Sequence, residues 1–386
     1  MSKNTKSLKL GFVVNPIAGM GGRVGLKGTD GVYKKALELG AKPVSPQRAV
    51  EFLKSLDSLY QQEENVNIEI ISVPKMMGEY ELTKANISIN SKIIPLNIGD
   101  ETTAEDTKNA VKTFVNDNNV DLVIFVGGDG TARDVMDALK EINASTPILG
   151  VPSGVKMYSA VFAYSPEEAA EVVLAFIKGQ ARVMDLEVMD IDEEAFRNNR
   201  LEIKLYGYAK ALYVPMMIQH SKEPTPETVD ETENQRAIAR YVVEIMDPEG
   251  YYILCPGTTV KMVADELGVE KTLLGVDIYH KGKVYKDVNE RQILEIIKDF
   301  SKAWIIVSPI GKQGVIFGRG NQQISPEVIR RVGKEKIIVI ATQRKIRELP
   351  DGSLKVDTGD KEVDNYLKGY IKVLIDYRTW RMIKVV

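Results

Sequence analysis

Leu122-Val123-Ile124-Phe125-Val126-Gly127-Gly128-Asp129-Gly130-Thr131 is an apolar run that ends on two glycines and an acid, with a helical stretch over 132–139 directly behind it. The order strand, glycine turn, helix predicts a phosphate site. Glycines before the acid let backbone N–H groups crowd an anion, and the positive end of the following helix points at it. Asp129 then reaches a metal ion or a hydroxyl. A carboxylate among polyphosphate oxygens repels them unless a hard cation or a proton in transit lies between, which points to phosphoryl transfer rather than anion storage. The plainer alternative is a glycine-rich turn with a capping aspartate.

Outward from this stretch, apolar runs at 8–14, 68–73, 93–98 and 148–151 alternate with helical patterns, the signature of a parallel α/β sheet. A helix is expected over 104–116. Ser165-Pro166-Glu167-Glu168 supplies an N-cap, a first-turn proline and a capping-box acid for another helix, and Gly179 its stop. From Arg182 onward short apolar segments crowd together at 201–208, 211–215 and 251–254, and Gly282 sits in a hairpin turn between 276–279 and 284–285. The expected organisation is a Rossmann-like α/β domain over 1–182 and a β-rich domain over 183–386 with α/β segments near its end. The loop 221–229 is expected as a mobile excursion. Tyr206, Tyr208 and Tyr213 are expected in a sheet core or an interface.

A chain of 386 residues exceeds what one hydrophobic core usually organises. Its 44% hydrophobic share and net charge of −3 suit a globular protein and give no electrostatic case for nucleic acid. Cys255 is the single cysteine, so no intrachain disulfide forms and a reducing compartment is expected. One cysteine with His220 and His280 is too thin a set for structural zinc; acids favour magnesium or manganese. No run reaches the ~18 apolar residues of a membrane span, and the first apolar run reads as a strand rather than an export signal. Cytoplasm is the expected location.

Four further stretches carry chemistry. Asn15-Pro16-Ile17-Ala18-Gly19-Met20-Gly21-Gly22 follows the first strand, at the edge where open α/β sheets bind ligands. It fails the dinucleotide fingerprint, because Val24 stands where a third Gly or Ala belongs, and hydride transfer loses ground. Pro152-Ser153-Gly154-Val155-Lys156 follows another strand, and Lys156 is either solvated or a positive charge for a transferring group. In Pro256-Gly257-Thr258-Thr259-Val260-Lys261 the threonines cap a helix running to Leu267 while free backbone donors meet a nucleotide. Gly318-Arg319-Gly320-Asn321-Gln322-Gln323 sets an arginine suited to phosphate or carboxylate among turn-forming residues.

The Gly127–Thr131 stretch, continued through Ala132-Arg133-Asp134-Val135, resembles the superfamily that unites NAD kinases with diacylglycerol and sphingosine kinases. Together with the run Gly318 to Ser325 it is similar to the ATP-NAD kinase-like, or AcoX-like, branch, over most of the chain. The resemblance implies a Rossmann-like N-terminal domain, a β-rich C-terminal domain, an active site between them, and ATP with Mg²⁺ or Mn²⁺. The acceptor it implies is a hydroxyl. It places Asn15, Gly19, Gly21 and Gly22 by the nucleotide phosphates, with Asn15 bonding either the triphosphate or the Gly127–Thr131 loop. Gly127, Gly128, Gly130 and Thr131 form the phosphate cradle, and Gly154 with Lys156 lines the acceptor side. Gly257, Thr258 and Thr259 partly match a segment that NAD kinases use around ATP and NAD.

One departure concerns the acceptor. NAD kinases carry an Asn-Glu or Asn-Asp pair early in the C-terminal domain; here the stretch reads Met189-Asp190-Ile191-Asp192-Glu193-Glu194, without the asparagine. Asp192 and Glu193 are candidates for gripping a ribose, and Arg319 and Asn321 for the acceptor. A solvated acidic turn is the alternative.

The expected reaction is in-line transfer from ATP to a hydroxyl, with Asp129 as general base or magnesium-organising carboxylate and Asp134 assisting it or serving the helix dipole. The leading acceptor is the adenosine 2′-hydroxyl of NAD, giving NADP. The rivals are a kinase of another small or lipid alcohol and a nucleotide-sensing protein without turnover. No wide apolar groove or amphipathic membrane edge supports a lipid. Partners are small-molecule nucleotides, with a homo-oligomer left open.

Overall fold

The computed structural model describes residues 6–26, 33–64, 66–155, 157–191, 203–215, 217–218 and 229–386. Two seven-stranded sheets organise them. The first contains β1 (Lys6–Val14), β2 (Val66–Ser72), β3 (Asn90–Ile93), β4 (Leu122–Gly127), β5 (Ile148–Pro152), β6 (Arg182–Ile191) and β7 (Ile203–Tyr213), in the order β3-β2-β1-β4-β5-β7-β6. All neighbours are parallel except β6 and β7.

Helices cover both faces of this sheet because its central strands are apolar on both sides. On β1, a Cβ at Gly11 would lie 2.7 Å from the Phe114 ring of α4 (Ala104–Asn116), while the next residue, Phe12, stacks on Phe52 of α2 (Ser45–Tyr60). Successive strand residues point to opposite faces, so α2 and α4 lie on opposite sides. Beside α4 packs α5 (Asp129–Glu141), and beside α2 packs α6 (Pro166–Ile177). Sequence signals placed α4 and α6 well. Ser165 accepts from the Glu168 amide, and Gly179 stops the helix at φ 75°.

Four expectations shift. The strand expected at 93–98 forms at Asn90–Ile93 instead, since Pro95 has no amide to extend the ladder; Ile94 and Ile98 are still buried. The segments expected at 201–208 and 211–215 are one strand, β7. Val183, the expected boundary, falls inside β6. The β6–β7 hairpin extends the first sheet, and Leu186, Val188, Ala209 and Leu212 join its core. Along β7 the tyrosines divide: Tyr206 and Tyr208 are exposed, Tyr206 donating to Asp137 at 3.0 Å, while Tyr213 is partly buried and packs against the first core. The loop 221–228 lies outside the described residues.

The second sheet is mixed, and this is where the β-rich C-terminal domain takes its form. Its strands are β8 (Tyr251–Leu254), β9 (Asp277–His280), β10 (Lys283–Tyr285), β11 (Ala303–Val307), β13 (Ile337–Ile340), β15 (Gly369–Asp376) and β16 (Thr379–Val385), ordered β10-β9-β8-β11-β13-β15-β16. β12 (Val315–Phe317) and β14 (Lys355–Val356) form a small parallel pair of their own. The four strands β8, β11, β13 and β15 are parallel, flanked by antiparallel edges. Alternation on β8 again divides two cores: Tyr252 and Leu254 face one, Ile253 and Cys255 the other. Among the described residues no helix is long and apolar enough to cross a membrane.

Candidate functional site

Three loops leave the carboxyl edge of the first sheet and touch there: the ones after β1, β4 and β5. Glycine makes the contact in each. A Cβ on Gly154 would stand 2.8 Å from the Gly128 Cα, and one on Gly19, which already has φ 79°, would stand 1.9 Å from the Ser153 carbonyl oxygen. Such backbone-to-backbone approach leaves no room for a side chain. At Gly127 a Cβ would meet the Thr131 hydroxyl at 2.4 Å. Asn15 donates to the Thr131 hydroxyl at 2.9 Å and accepts from the Ile17 amide at 3.2 Å. Of the two expected roles of Asn15, holding the Gly127–Thr131 loop is the one seen. Buried Ser45, at the start of α2, shares a 2.7 Å hydrogen bond with Ser153 and donates to the Ala18 carbonyl, joining the first and third loops again.

Asp129 opens α5 with extended Gly128 as its N-cap, and its side chain is buried. The carboxylate accepts from the Tyr158 amide at 2.8 Å and the Ser159 amide at 3.0 Å. Burial raises its pKa to about 6, even though the hydrogen bonds from Ser159 and Tyr158 and the charge of Arg133 pull the other way. The carboxyl therefore changes charge near neutrality, the range useful to a general base. Arg133, one helical turn on, pairs with Asp190 of β6. Gly130 and Thr131 complete the first turn of α5, with Asp134 partly buried farther along.

A cavity of about 770 Å³ opens beside these loops, between the two sheets. Gly19, Gly22's neighbour Arg23, Ser153 and Gly154 border it from the first sheet, and Gly318, Arg319, Gln322 and Asp357 from the loops that follow β12 and β14. Asp129 is next to the cavity rather than on its wall, linked through the Gly128–Gly154 contact and Met157. Gly21 and Gly22 lie in the β1 turn, where Gly22 backs onto Gln322.

Arg319 is 4% exposed, so its charge needs partners. It donates to the Tyr164 carbonyl at 2.5 Å and lies 3.6 Å from Asp357, which is bound more closely by Arg48 of α2 at 2.5 Å. Its Nη1 is buried without a hydrogen-bond partner. Asn321 turns inward, donating to the Ile316 carbonyl and accepting from the Gly318 amide. It serves its own loop.

Gly257, Thr258 and Thr259 lie elsewhere, at the carboxyl edge of the second sheet. Gly257 is the N-cap of the helix Thr258–Glu266, without a side-chain cap, and the Thr259 hydroxyl accepts from Lys345 at 3.0 Å instead of capping. Lys345 also donates to Ser308 at 2.9 Å, and burial lowers its pKa to about 8. Lys156, Asp192 and Glu193 lie outside the described residues.

Reading the sequence missed Arg48, Asp357, Lys345, Ser308 and the Tyr158–Ser159 amides. Thr342, which accepts from the Lys345 amide as a helix cap, was the one local signal near Lys345. Arg48 and Asp357 sit 309 positions apart and share no pattern.

Comparison with protein families matches residues 10–181 to the ATP-NAD kinase N-terminal domain and residues 248–385 to the ATP-NAD kinase C-terminal domain. No curated protein matches. Among solved structures, similarity extends to the UDP-GlcNAc 2-epimerase from Neisseria meningitidis at 12% identity, over 30% of this chain and 31% of that one, with a TM-score of 0.22. The MnaA–UDP structure from S. aureus aligns at 9% identity over 91% and 78%, with a TM-score of 0.26. The epimerase from Methanocaldococcus jannaschii aligns at 13% over 94% and 80%, with a TM-score of 0.23. The chain spans about a third of the length of the Neisseria meningitidis structure (31%) and of a further UDP-N-acetylglucosamine 2-epimerase structure (32%), and TM-scores this low carry no inference.

Proposed function

The chain belongs to the ATP-NAD kinase family, and from that premise we propose that it transfers the γ-phosphoryl group of ATP to the 2′-hydroxyl of NAD, giving NADP and ADP. One observation carries the proposal: two glycine-mediated contacts bring the three loops together beside a buried carboxylate whose pKa is raised to about 6. In this reading a carboxylate oxygen of Asp129 takes the acceptor's proton as the oxygen–phosphorus bond forms, and the bond to ADP breaks in line. Backbone donors of the glycine loops hold phosphate oxygens that a side chain there would displace.

Magnesium bound with a triphosphate needs only one or two protein carboxylates. Asp129 at the loop edge suits that part, although among the described residues no group of three His, Cys, Asp or Glu side chains gathers for a metal. Bound there, the metal would withdraw charge from the phosphoryl oxygens. Asp192 and Glu193 remain the candidates for the NAD ribose, and Lys156 for the transferring group.

A second reading, a nucleotide-sensing protein without turnover, draws on the two amides already engaging the Asp129 carboxylate. Purified protein with ATP and magnesium, offered NAD, NADH and a panel of alcohols, decides between them. NADP formation is expected, lost with EDTA and kept with a zinc-selective chelator. ATP binding without NAD affinity or NADP would leave a kinase of another alcohol; ATP binding with no phosphorylated product would leave the sensor.

The rate should also carry the signature of Asp129. Its protonated form cannot accept a proton, so kcat/KM is expected to fall as the pH drops through about 6 and to level off above it. A flat kcat/KM profile across that range would remove Asp129 as the base.

A further inference from the structure

Among the described residues no apolar core spans both sheets. The cores on one side draw on residues 8–218 and those on the other on residues 238–385. The two halves are joined instead by hydrogen bonds and ion pairs, the kind of junction that permits rigid-body movement. Part of it is neutral: the Val155 carbonyl accepts the Gly320 amide at 3.0 Å and the Gln322 side-chain amide at 2.6 Å, and the Arg23 carbonyl accepts the Glu290 amide at 3.2 Å.

The charged part is concentrated on one short segment, 355–361. There Lys355, Asp357 and Lys361 present the charges plus, minus, plus. Facing them on the packed helices α2 and α6 stands the complementary set, Glu168, Arg48 and Glu167, at 3.1, 2.5 and 2.7 Å. Asp357, Thr358 and Gly359 border the cavity, as does Arg48. The segment is fixed to its own half. Leu354 before it donates to the Lys384 carbonyl of β16 at 2.8 Å, the Thr358 amide and hydroxyl donate to Asp364 at 2.9 and 2.7 Å, and Asp360 caps the helix Lys361–Leu367. It therefore moves with that half as one body.

Closure leaves some groups unsatisfied. Arg319 Nη1, the Tyr164 hydroxyl and Glu168 Oε2 are buried without hydrogen-bond partners. All three lie at this junction: Arg319 donates to the Tyr164 carbonyl, and the Lys355 ammonium that pairs with Glu168 lies 3.8 Å from the Tyr164 ring centroid. The ion pairs favour closure, whereas groups taken from water and left unpaired oppose it. Parting the halves here hydrates all three groups and gives up the pairs. Opposing terms of similar size make a two-state element.

We propose that the 355–361 segment is an ionic latch on the cavity: paired with α2 and α6 it closes that side, and unpaired it lets the halves part so that a small-molecule ligand enters or leaves. The latch acts whatever reaction the cavity serves.

The test uses the full chain with spin labels on Lys54→Cys in α2 and Asn365→Cys in the helix Lys361–Leu367, both exposed positions, while Cys255 is buried. Pulsed electron paramagnetic resonance reads the distance between the halves. In Glu167→Gln/Glu168→Gln a longer-distance population is expected, because Lys355 and Lys361 lose their carboxylates while side-chain size is kept. About 1 M NaCl, which shortens the screening length to ~3 Å, should produce the same population in the chain that keeps both glutamates. Glu63→Gln removes the Lys178 ion pair inside the first half and should leave the distance in place. An unchanged distance in the folded double variant overturns the latch, as does an equal shift in Glu63→Gln. If the double variant does not fold, an unchanged distance across the salt series overturns it instead.

Discussion

Asp129→Asn is expected to lower turnover at least ~100-fold, the usual worth of a positioned base, while calorimetry still detects ATP binding. The variant loses both charge and proton affinity at the carboxyl that opens α5, next to the Gly128–Gly154 contact. A further consequence follows from its hydrogen bonds. Asp129 offers one oxygen to the Tyr158 amide and one to the Ser159 amide, whereas asparagine has a single acceptor. One buried N–H then faces an NH₂ group, a mismatch of about 1–3 kcal/mol offset in part by removing a buried charge. A denaturant titration run beside the assay separates the two effects. Full activity in Asp129→Asn would falsify its catalytic assignment, whatever happens to stability.

The second large effect is expected at Gly19. Its φ is 79° and a Cβ would stand 1.9 Å from the Ser153 carbonyl oxygen, which cannot move without disturbing the Ser45–Ser153 hydrogen bond and the wall of the cavity. Gly179 is the natural comparison, with nearly the same backbone, φ 75°, and nothing within 4 Å of a Cβ. Gly179→Ala should cost about 1 kcal/mol for the left-handed conformation alone. Gly19→Ala should cost about 2–4 kcal/mol, because overpacking against backbone adds to the same strain. Unfolding midpoints measure both. Activity should fall with Gly19→Ala and persist with Gly179→Ala. Equal stability losses would mean that the loop contact carries no weight.

Much of the first sheet was legible because its signals are local. The 122–126 run and the Ser165 cap of α6 each act within one strand or one turn. The Gly127–Thr131 loop was readable for the same reason, since glycine tolerance and a helix N-terminus are properties of adjacent residues. Where local pattern misled, another constraint intervened. Pro95 cut the third strand short, and β6 and β7, apolar enough for a separate domain, found their partner at the open edge of the first sheet. Tyr206 and Tyr208 look like core aromatics in sequence but lie exposed, because sequence does not say which face of an edge strand is covered.

By itself the sequence determined the identity of the glycine-lined carboxylate, the parallel α/β pattern around it and the family to which the chain belongs, since each rests on residues adjacent along the chain. Only the tertiary structure decided what Asp129 touches, which loops face the cavity, and that Arg319 reaches the Tyr164 carbonyl beside an Arg48–Asp357 pair. It also removed Thr259 from the glycine-loop edge, placing it with Lys345 and Ser308 at the other sheet. The reason is physical. Strand, helix and cap propensities are set over a few residues, whereas the partners of Asp129 come from 29 and 30 positions away and the carbonyl that Arg319 reaches from 155, so the burial that raises the pKa of one and demands partners for the other exists only once those segments pack.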